Sequence, residues 1–204
     1  MVQPVNAPTL STLILAGGRS LRMGRDKALL TLGDRPLIHH LYSVARHCSD
    51  AIVIMTPWPE RYRPLLPSSA QFIREPPPDG QPPGPLAAFV QALPQLHTDW
   101  ILLLACDLPN LAGPTLQHWA SQLAILDAKT LAYLPEGPKG WEPLCGFYRC
   151  TCLAPLTLAL HQGHRSFQAG LAALPVQAIP DAPPEQLFNC NTPEQWKQAV
   201  GDSS

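Results

Sequence analysis

The sequence has little of what would send a chain into a membrane, onto nucleic acid or out of the cell. Its longest unbroken apolar run, Trp100 to Cys106, falls far short of the roughly 20 residues that a spanning helix needs. Charge is sparse and balanced, with 14 basic against 15 acidic residues, which excludes a broad basic face for a polyanionic partner. The opening Met-Val-Gln-Pro-Val-Asn-Ala-Pro carries neither the basic start nor the apolar stretch of a secretory signal, so the expected compartment is the cytoplasm. The six cysteines form no C-x-x-C pair, and the lone C-x-C at Cys150 to Cys152 is weak ground for a metal. Reduced, mostly buried thiols are expected instead.

Catalytic signatures of the nucleophilic kind are missing too. There is no G-x-S-x-G elbow and no reactive-cysteine pattern. The seven histidines assemble no catalytic set: His39 and His40 fall in a helical segment, and His161 with His164 lacks a third partner. Internal repeats and heptads are absent, which removes solenoid and coiled-coil readings.

Proline, by contrast, is abundant. The chain holds 25, clustered at Pro57 to Pro67, Pro76 to Pro85 and Pro180 to Pro184. Because proline fixes φ and lacks an N–H, these clusters read as connections rather than element interiors. Between them, short apolar runs alternate with longer segments of helical period, the pattern of an α/β domain with a mainly parallel sheet. Strands are expected at Thr12 to Leu15, Ala51 to Thr56, Gln71 to Arg74, Trp100 to Ala105, Thr130 to Leu134, Leu144 to Tyr148 and Val176 to Ile179. Helices are expected at Pro36 to Cys48, Pro85 to Leu93, Pro114 to Leu126, Cys152 to Gln162, Ser166 to Leu174 and Pro193 to Val200, several with proline in the first turn and the last with Thr192 as N-cap. At 204 residues the chain suits a single domain, softly divided near Gly113 into two halves, 11–112 and 113–200.

The most informative segment is Leu15 to Lys27, Leu-Ala-Gly-Gly-Arg-Ser-Leu-Arg-Met-Gly-Arg-Asp-Lys, directly behind the first strand. Gly17 and Gly18 let backbone amides approach phosphate oxygens with no Cβ in the way. Arg19, Arg22, Arg25 and Lys27 place four of the chain's cations within nine residues. The segment is not a Walker A loop, since five residues rather than four separate Gly18 from Gly24 and Arg25 follows. Nor does it carry the dinucleotide fingerprint G-x-G-x-x-G. Lys27 is the leading candidate to neutralise a triphosphate, Arg22 the next, and Asp26 could orient either through an ion pair. Met23 is expected to pack beneath the loop.

Asp107 is the second point of interest. The apolar run before it would deliver its carboxylate to the carboxyl edge of the sheet, beside the glycine loop. Mg²⁺ favours such a place, taking one or two carboxylates together with substrate phosphates.

Leu15-Ala16-Gly17-Gly18-x-Ser20-x-Arg22-Met23-Gly24-x-Asp26-Lys27 resembles the signature of the molybdenum cofactor guanylyltransferases. Gly84-Pro85-Leu86-Ala87, Cys106-Asp107-Leu108-Pro109 and Asn189-Cys190-Asn191-Thr192-Pro193-Glu194 resemble three further family segments in order and spacing. The resemblance implies a Rossmann-like, three-layer αβα nucleotidyltransferase fold, with GTP as donor, molybdenum-molybdopterin as acceptor and Mg²⁺ as cofactor. Transient contact with molybdoenzymes or their chaperones is implied as well. It assigns Leu15, Ala16, Gly17, Gly18, Lys27, Glu75 and Asp107 to the nucleotide, and Asn189 and Asn191 to the acceptor, making 11–112 the nucleotide-binding half and 113–200 the acceptor half. Catalysis falls to Lys27, Arg22 and Asp107, and the metal to Asp107. Arg149, His164 and Arg165 become candidate contacts to the pterin phosphate, and Glu142-Pro143-Leu144 a turn facing the acceptor. Two positions depart from the family: Glu75 stands where a base-reading Asp is usual, and the Asn after the second strand is replaced within Met55-Thr56-Pro57. The alternatives are a CTP-dependent cytidylyltransferase, a sugar-phosphate nucleotidyltransferase, and a nucleotide-binding delivery protein without chemistry that docks through Pro76 to Pro85.

Overall fold

The computed structural model describes residues 7–17, 26–76 and 84–201. Ten strands are described: β1 Leu10–Leu15, β2 Thr31–Leu32, β3 Arg35–Pro36, β4 Ala51–Thr56, β5 Gln71–Arg74, β6 Trp100–Ala105, β7 Ala132–Gly137, β8 Gly140–Trp141, β9 Cys145–Arg149 and β10 Val176–Ile179. Seven α-helices accompany them: α1 Leu37–Ala45, α2 Pro59–Tyr62, α3 Pro85–Ala92, α4 Gly113–Ser121, α5 Leu153–His161, α6 Phe167–Leu171 and α7 Pro193–Val200.

The main sheet runs β10-β7-β9-β6-β1-β4-β5, with β8 paired to β7 off that path. Pairings β1–β4, β1–β6, β4–β5 and β7–β10 are parallel, whereas β9 lies antiparallel to both β6 and β7. The sheet is therefore mainly parallel, as the alternating pattern predicts. Its central strand β6 is buried along its whole length. Successive β6 residues serve opposite faces: Trp100, Leu102 and Leu104 join the core under α1, α2 and α4, while Ile101 and Leu103 join that under α3, α5 and α6. The period of two in side-chain direction thus makes one apolar run build both outer layers. On the second face Phe89, Tyr148 and Phe167 cluster, with ring centroids 4.9–6.0 Å apart.

Four expected strands, β4, β5, β6 and β10, have the boundaries read from sequence, and so does α7. Others shift for identifiable reasons. Helix α1 starts after Pro36, because Pro36 is extended at φ −62°, ψ 147° and pairs with Thr31 in the β2–β3 hairpin. Helix α4 stops at Ser121, and the chain goes on in i→i+3 turns through Ile125. Helix α6 begins after Ser166, whose hydroxyl accepts from Ala169 N–H as its N-cap. Strand β7 runs on to Gly137, since the short hairpin to β8 extends it. The Pro57 to Pro67 cluster is not a plain loop: Pro59 occupies the first turn of α2 and Pro64 lies in a following 3₁₀ turn, where a missing N–H costs nothing. Short elements of this kind carry too few residues for a period to register.

No helix among the described residues is long and apolar enough to cross a membrane.

Candidate active site

Parallel pairing brings the carboxyl ends of β1, β4, β5 and β6 to one edge of the sheet. Leu15 lies level with Met55 on one side and Ala105 on the other. One residue further on, the Ala16 amide donates to the Met55 carbonyl at 2.9 Å, carrying the chain to Gly17. The Glu75 amide donates to the Thr56 carbonyl at 3.0 Å, which sets Glu75 beside the same edge. Ligands of open α/β sheets collect outside this edge.

A cavity of about 340 Å³ opens there. Leu15, Ala16, Gly17, Lys27, Glu75 and Asp107 all line it. Leu144, Gly84 and Pro85, from segments that the resemblance marked, line it as well, and Ala28, Ala88 and Ala105 are the wall residues that sequence reading did not select. Helix α3 contributes its amino end, with Gly84 at φ 84° as N-cap and Pro85 in the first turn. A helix amino terminus favours negative charge, so this wall suits phosphate. Gly17 is required by space: a Cβ there would stand 2.7 Å from Pro57 Cδ and 2.8 Å from Glu75 Oε2. Gly18, Arg19, Arg22, Met23 and Arg25 lie outside the described residues.

Lys27 opens a 3₁₀ turn, Lys27–Leu29, capped by Asp26, whose Oδ1 accepts from the Ala28 amide at 3.1 Å. The expected pairing of Asp26 with Lys27 does not form. Asp26 Oδ2 instead accepts from the Tyr62 hydroxyl at 2.6 Å, with Arg61 at 4.0 Å. Its carboxylate is consumed in fixing the turn, and the Lys27 ammonium points away. Lys27 Nζ donates to Asn191 Oδ1 at 2.7 Å and lies 3.8 Å from Asp107 Oδ2. Lysine, aspartate and asparagine from three distant segments thus meet at one point.

Asp107 lies two residues beyond the last residue of β6, Ala105. Burial raises its pKa above the ordinary carboxylate value, and the Lys27 charge opposes that rise in part. Its Oδ1 is buried and has no hydrogen-bond partner among the described residues, an oxygen ligand facing a polar site. Burial likewise raises Glu75. Burial pushes the neighbouring Cys106 thiol far above its usual range, so it is no nucleophile.

The segment Asn189 to Asn191 crosses to this edge from the far half of the chain. The Cys190 amide donates to the Asp107 carbonyl at 2.9 Å, fixing the two backbones together. On either side of Cys190, Asn191 reaches Lys27, while Asn189 Nδ2 contacts Glu142 Oε2 at 3.4 Å. Glu142 is raised by burial and by the Asp107 charge, with the Asn189 contact opposing. Arg149 is not at this edge. Its guanidinium lies 4.4 Å from the Trp100 ring centre and Nε donates to the Thr130 carbonyl, at the opposite end of β6. The cation expected on the acceptor is a structural one. His164 and Arg165 lie in the exposed connection before α6, where the Arg165 carbonyl lies 3.7 Å from the place a Cβ on Gly84 would occupy.

The MobA-like NTP transferase domain matches residues 12–179. A curated relative from Trichormus variabilis, named probable molybdenum cofactor guanylyltransferase, is 49% identical over 193 residues, covering 95% of this chain and 91% of the relative. The chain belongs to the molybdenum cofactor guanylyltransferase family. A Pseudomonas entomophila member of that family is 36% identical over 190 residues, covering 92% of this chain and 96% of its own. Among solved structures, molybdopterin-guanine dinucleotide biosynthesis protein A from Archaeoglobus fulgidus superposes with a TM-score of 0.72 at 25% identity, covering 93% of this chain and 96% of that one. In this guanylyltransferase-family chain, the residues that sequence reading missed are those acting through others: Tyr62 on Asp26, and Gln195 on the Asn191 backbone at 2.8 Å. Only the last had a sequence signal, the Thr192 to Gln195 spacing of a capping box.

Proposed function

We propose that this chain transfers GMP from GTP to molybdenum-molybdopterin, yielding molybdopterin guanine dinucleotide and pyrophosphate. One observation carries the reading: a small loop glycine, an ammonium and two partly buried carboxylates line one cavity at the carboxyl edge of the sheet. The acceptor's terminal phosphate attacks the α-phosphorus of GTP. A new P–O bond forms as the bond to the β-phosphate bridging oxygen breaks, and pyrophosphate leaves with the electron pair. A phosphate monoester has a second pKa of about 6, so the attacking oxygen is already an anion near neutrality and no protein base is needed.

What the chain supplies is alignment and charge stabilisation. The Gly17 backbone and the amino end of α3 face the phosphates, and Lys27 neutralises their charge. By resemblance, Gly18 and Arg22 add to the same set. Glu75 reads the guanine edge, accepting from N1–H and the exocyclic amine. Asn189 and Asn191 face the acceptor, in the half formed by 113–200. Among the described residues no group of three or more His, Cys, Asp or Glu gathers to hold a metal by itself. Asp107, whose Oδ1 is unpartnered among those residues, is the residue that would hold Mg²⁺, an ion that keeps much of its shell for substrate oxygens. Bound there, Mg²⁺ would polarise the phosphates and neutralise charge on the departing pyrophosphate. The free state of all six cysteines suits the cytoplasm as compartment.

The test is to mix the purified chain with Mg²⁺, molybdenum-loaded molybdopterin and each nucleoside triphosphate in turn, and to assay pyrophosphate. GTP-dependent release, abolished by EDTA, is expected. Release with CTP and none with GTP would make the chain a cytidylyltransferase, and GTP binding without product would make it a delivery protein.

A further inference from the structure

The feature that this reading leaves unused is the construction around Asn191. An acceptor contact needs only an exposed amide, yet Asn191 is anchored on three sides. Its own amide donates to Gln195 Oε1 at 2.8 Å, inside the capping box that starts α7. The preceding Cys190 amide is fixed to the Asp107 carbonyl at 2.9 Å. Its side-chain oxygen accepts from Lys27 Nζ at 2.7 Å.

The lysine has a competing partner. Asp107 Oδ2 lies 3.8 Å from the same ammonium, beyond hydrogen-bond length, and both side chains are only 18% exposed. An unrestrained lysine has four rotatable bonds and would close that gap. Tight pairing with Asp107 would neutralise the cation meant for phosphate and occupy the carboxylate meant for metal. The neutral amide of Asn191 takes one of the three ammonium protons at good geometry without cancelling the charge.

We infer that Asn191 is a positioning residue of the donor site: it holds Lys27 short of ion pairing with Asp107, leaving ammonium and carboxylate both available to a metal–triphosphate. The inference rests on the reading above and adds a donor-side role to a residue expected on the acceptor. It also makes α7 part of the nucleotide site, since the box that fixes Asn191 begins that helix. Asn191 acts through Lys27 and touches neither the reacting phosphorus nor its leaving group.

The experiment is calorimetric titration of the full chain with Mg·GTP, and in parallel Mg·CTP, with no molybdopterin present. Asn191→Ala is expected to weaken binding of the accepted nucleotide about tenfold, the scale of one charge-assisted hydrogen bond. In a Lys27→Ala background the same substitution should change affinity less than twofold, because its effect passes through the lysine. Asn191→Asp keeps the accepting oxygen yet cancels the ammonium charge, and should bind no better than Asn191→Ala. Gln195→Ala, which removes the side chain that accepts from the Asn191 and Thr192 amides and so loosens the anchor, should give an intermediate loss. An unchanged nucleotide affinity in Asn191→Ala, with a raised KM for molybdopterin only, would overturn the inference and leave the transferase reading intact. A full loss persisting in the Lys27→Ala background would overturn it as well. A parent chain that binds neither nucleotide would overturn both.

Discussion

Glu75 Oε2 stands 2.8 Å from the point at which a side chain on Gly17 would begin, and Pro57 Cδ stands 2.7 Å from it. The loop after β1 is thus crowded by the chain leaving β4 and β5, the two strands on one side of it in the sheet. Gly17→Ala must push Glu75 or the Pro57 ring, and the ring is tied to the backbone. The expected cost is about 1–3 kcal/mol of stability, the usual scale of overpacking, together with weaker GTP binding as Glu75 is displaced. Urea denaturation and nucleotide titration check the two effects separately.

Glu75 itself gives a pH prediction. Burial raises its pKa above the ordinary glutamate value of about 4.3. Reading guanine as an acceptor requires the carboxylate, so GTP affinity should fall on acidification earlier than an exposed glutamate would allow. Glu75→Gln should lose affinity for GTP at neutral pH and abolish that acid limb. Preserved GTP selectivity in this variant would move base reading to another residue.

Asp107→Asn should separate function from stability. Transfer should drop about a hundredfold or more, as when one preorganised charge-stabilising group is removed. Stability should move the other way. The folded chain holds the Asp107 proton more tightly than the unfolded chain does, so stability declines as pH rises from the ordinary value of about 3.9 through the raised folded value. Asparagine removes that decline, and the thermal midpoint at neutral pH should match or exceed that of the parent. Undiminished pyrophosphate release would refute the assignment of Asp107 to the metal.

Tyr62→Phe tests how the Lys27 turn is held. The Tyr62 ring is buried and its hydroxyl donates to Asp26 Oδ2 at 2.6 Å. Hydrogen bonds to charged groups contribute about 1.5–3 kcal/mol, and that loss is expected in chemical denaturation. GTP affinity should fall modestly with it, because the cap that begins Lys27–Leu29 is loosened. A variant of parental stability would place Asp26 under the control of Arg61 instead.

Much of this architecture was legible before any coordinates. Strands β4, β5, β6 and β10 and helix α7 needed only a period and a stop signal, since each is bounded by proline, glycine or a polar cap. The convergence of Gly17 and Asp107 followed from strands whose tips must share an edge if the sheet is parallel. The two-residue strands β2, β3 and β8 carried no period to read, and the single turn of α2 lay inside a proline cluster that reads as a connection. Arg149 was misplaced because a cation at a strand end looks the same from sequence whichever edge it decorates; antiparallel pairing puts it opposite Trp100, at the far end from the cavity.

The order of residues by itself determined the alternation of apolar runs and helical segments, the glycine loop behind the first strand, the carboxylate after the buried one and the capped start of the last helix. These depend on interactions spanning a few residues, which local spacing records. Only the tertiary structure decided that Asp26 would serve Tyr62 rather than Lys27, and that Lys27 would lie between Asn191 and Asp107. Those choices turn on ångström-scale competition among groups from distant segments, and no local pattern encodes which partner lies nearest once the sheet has assembled.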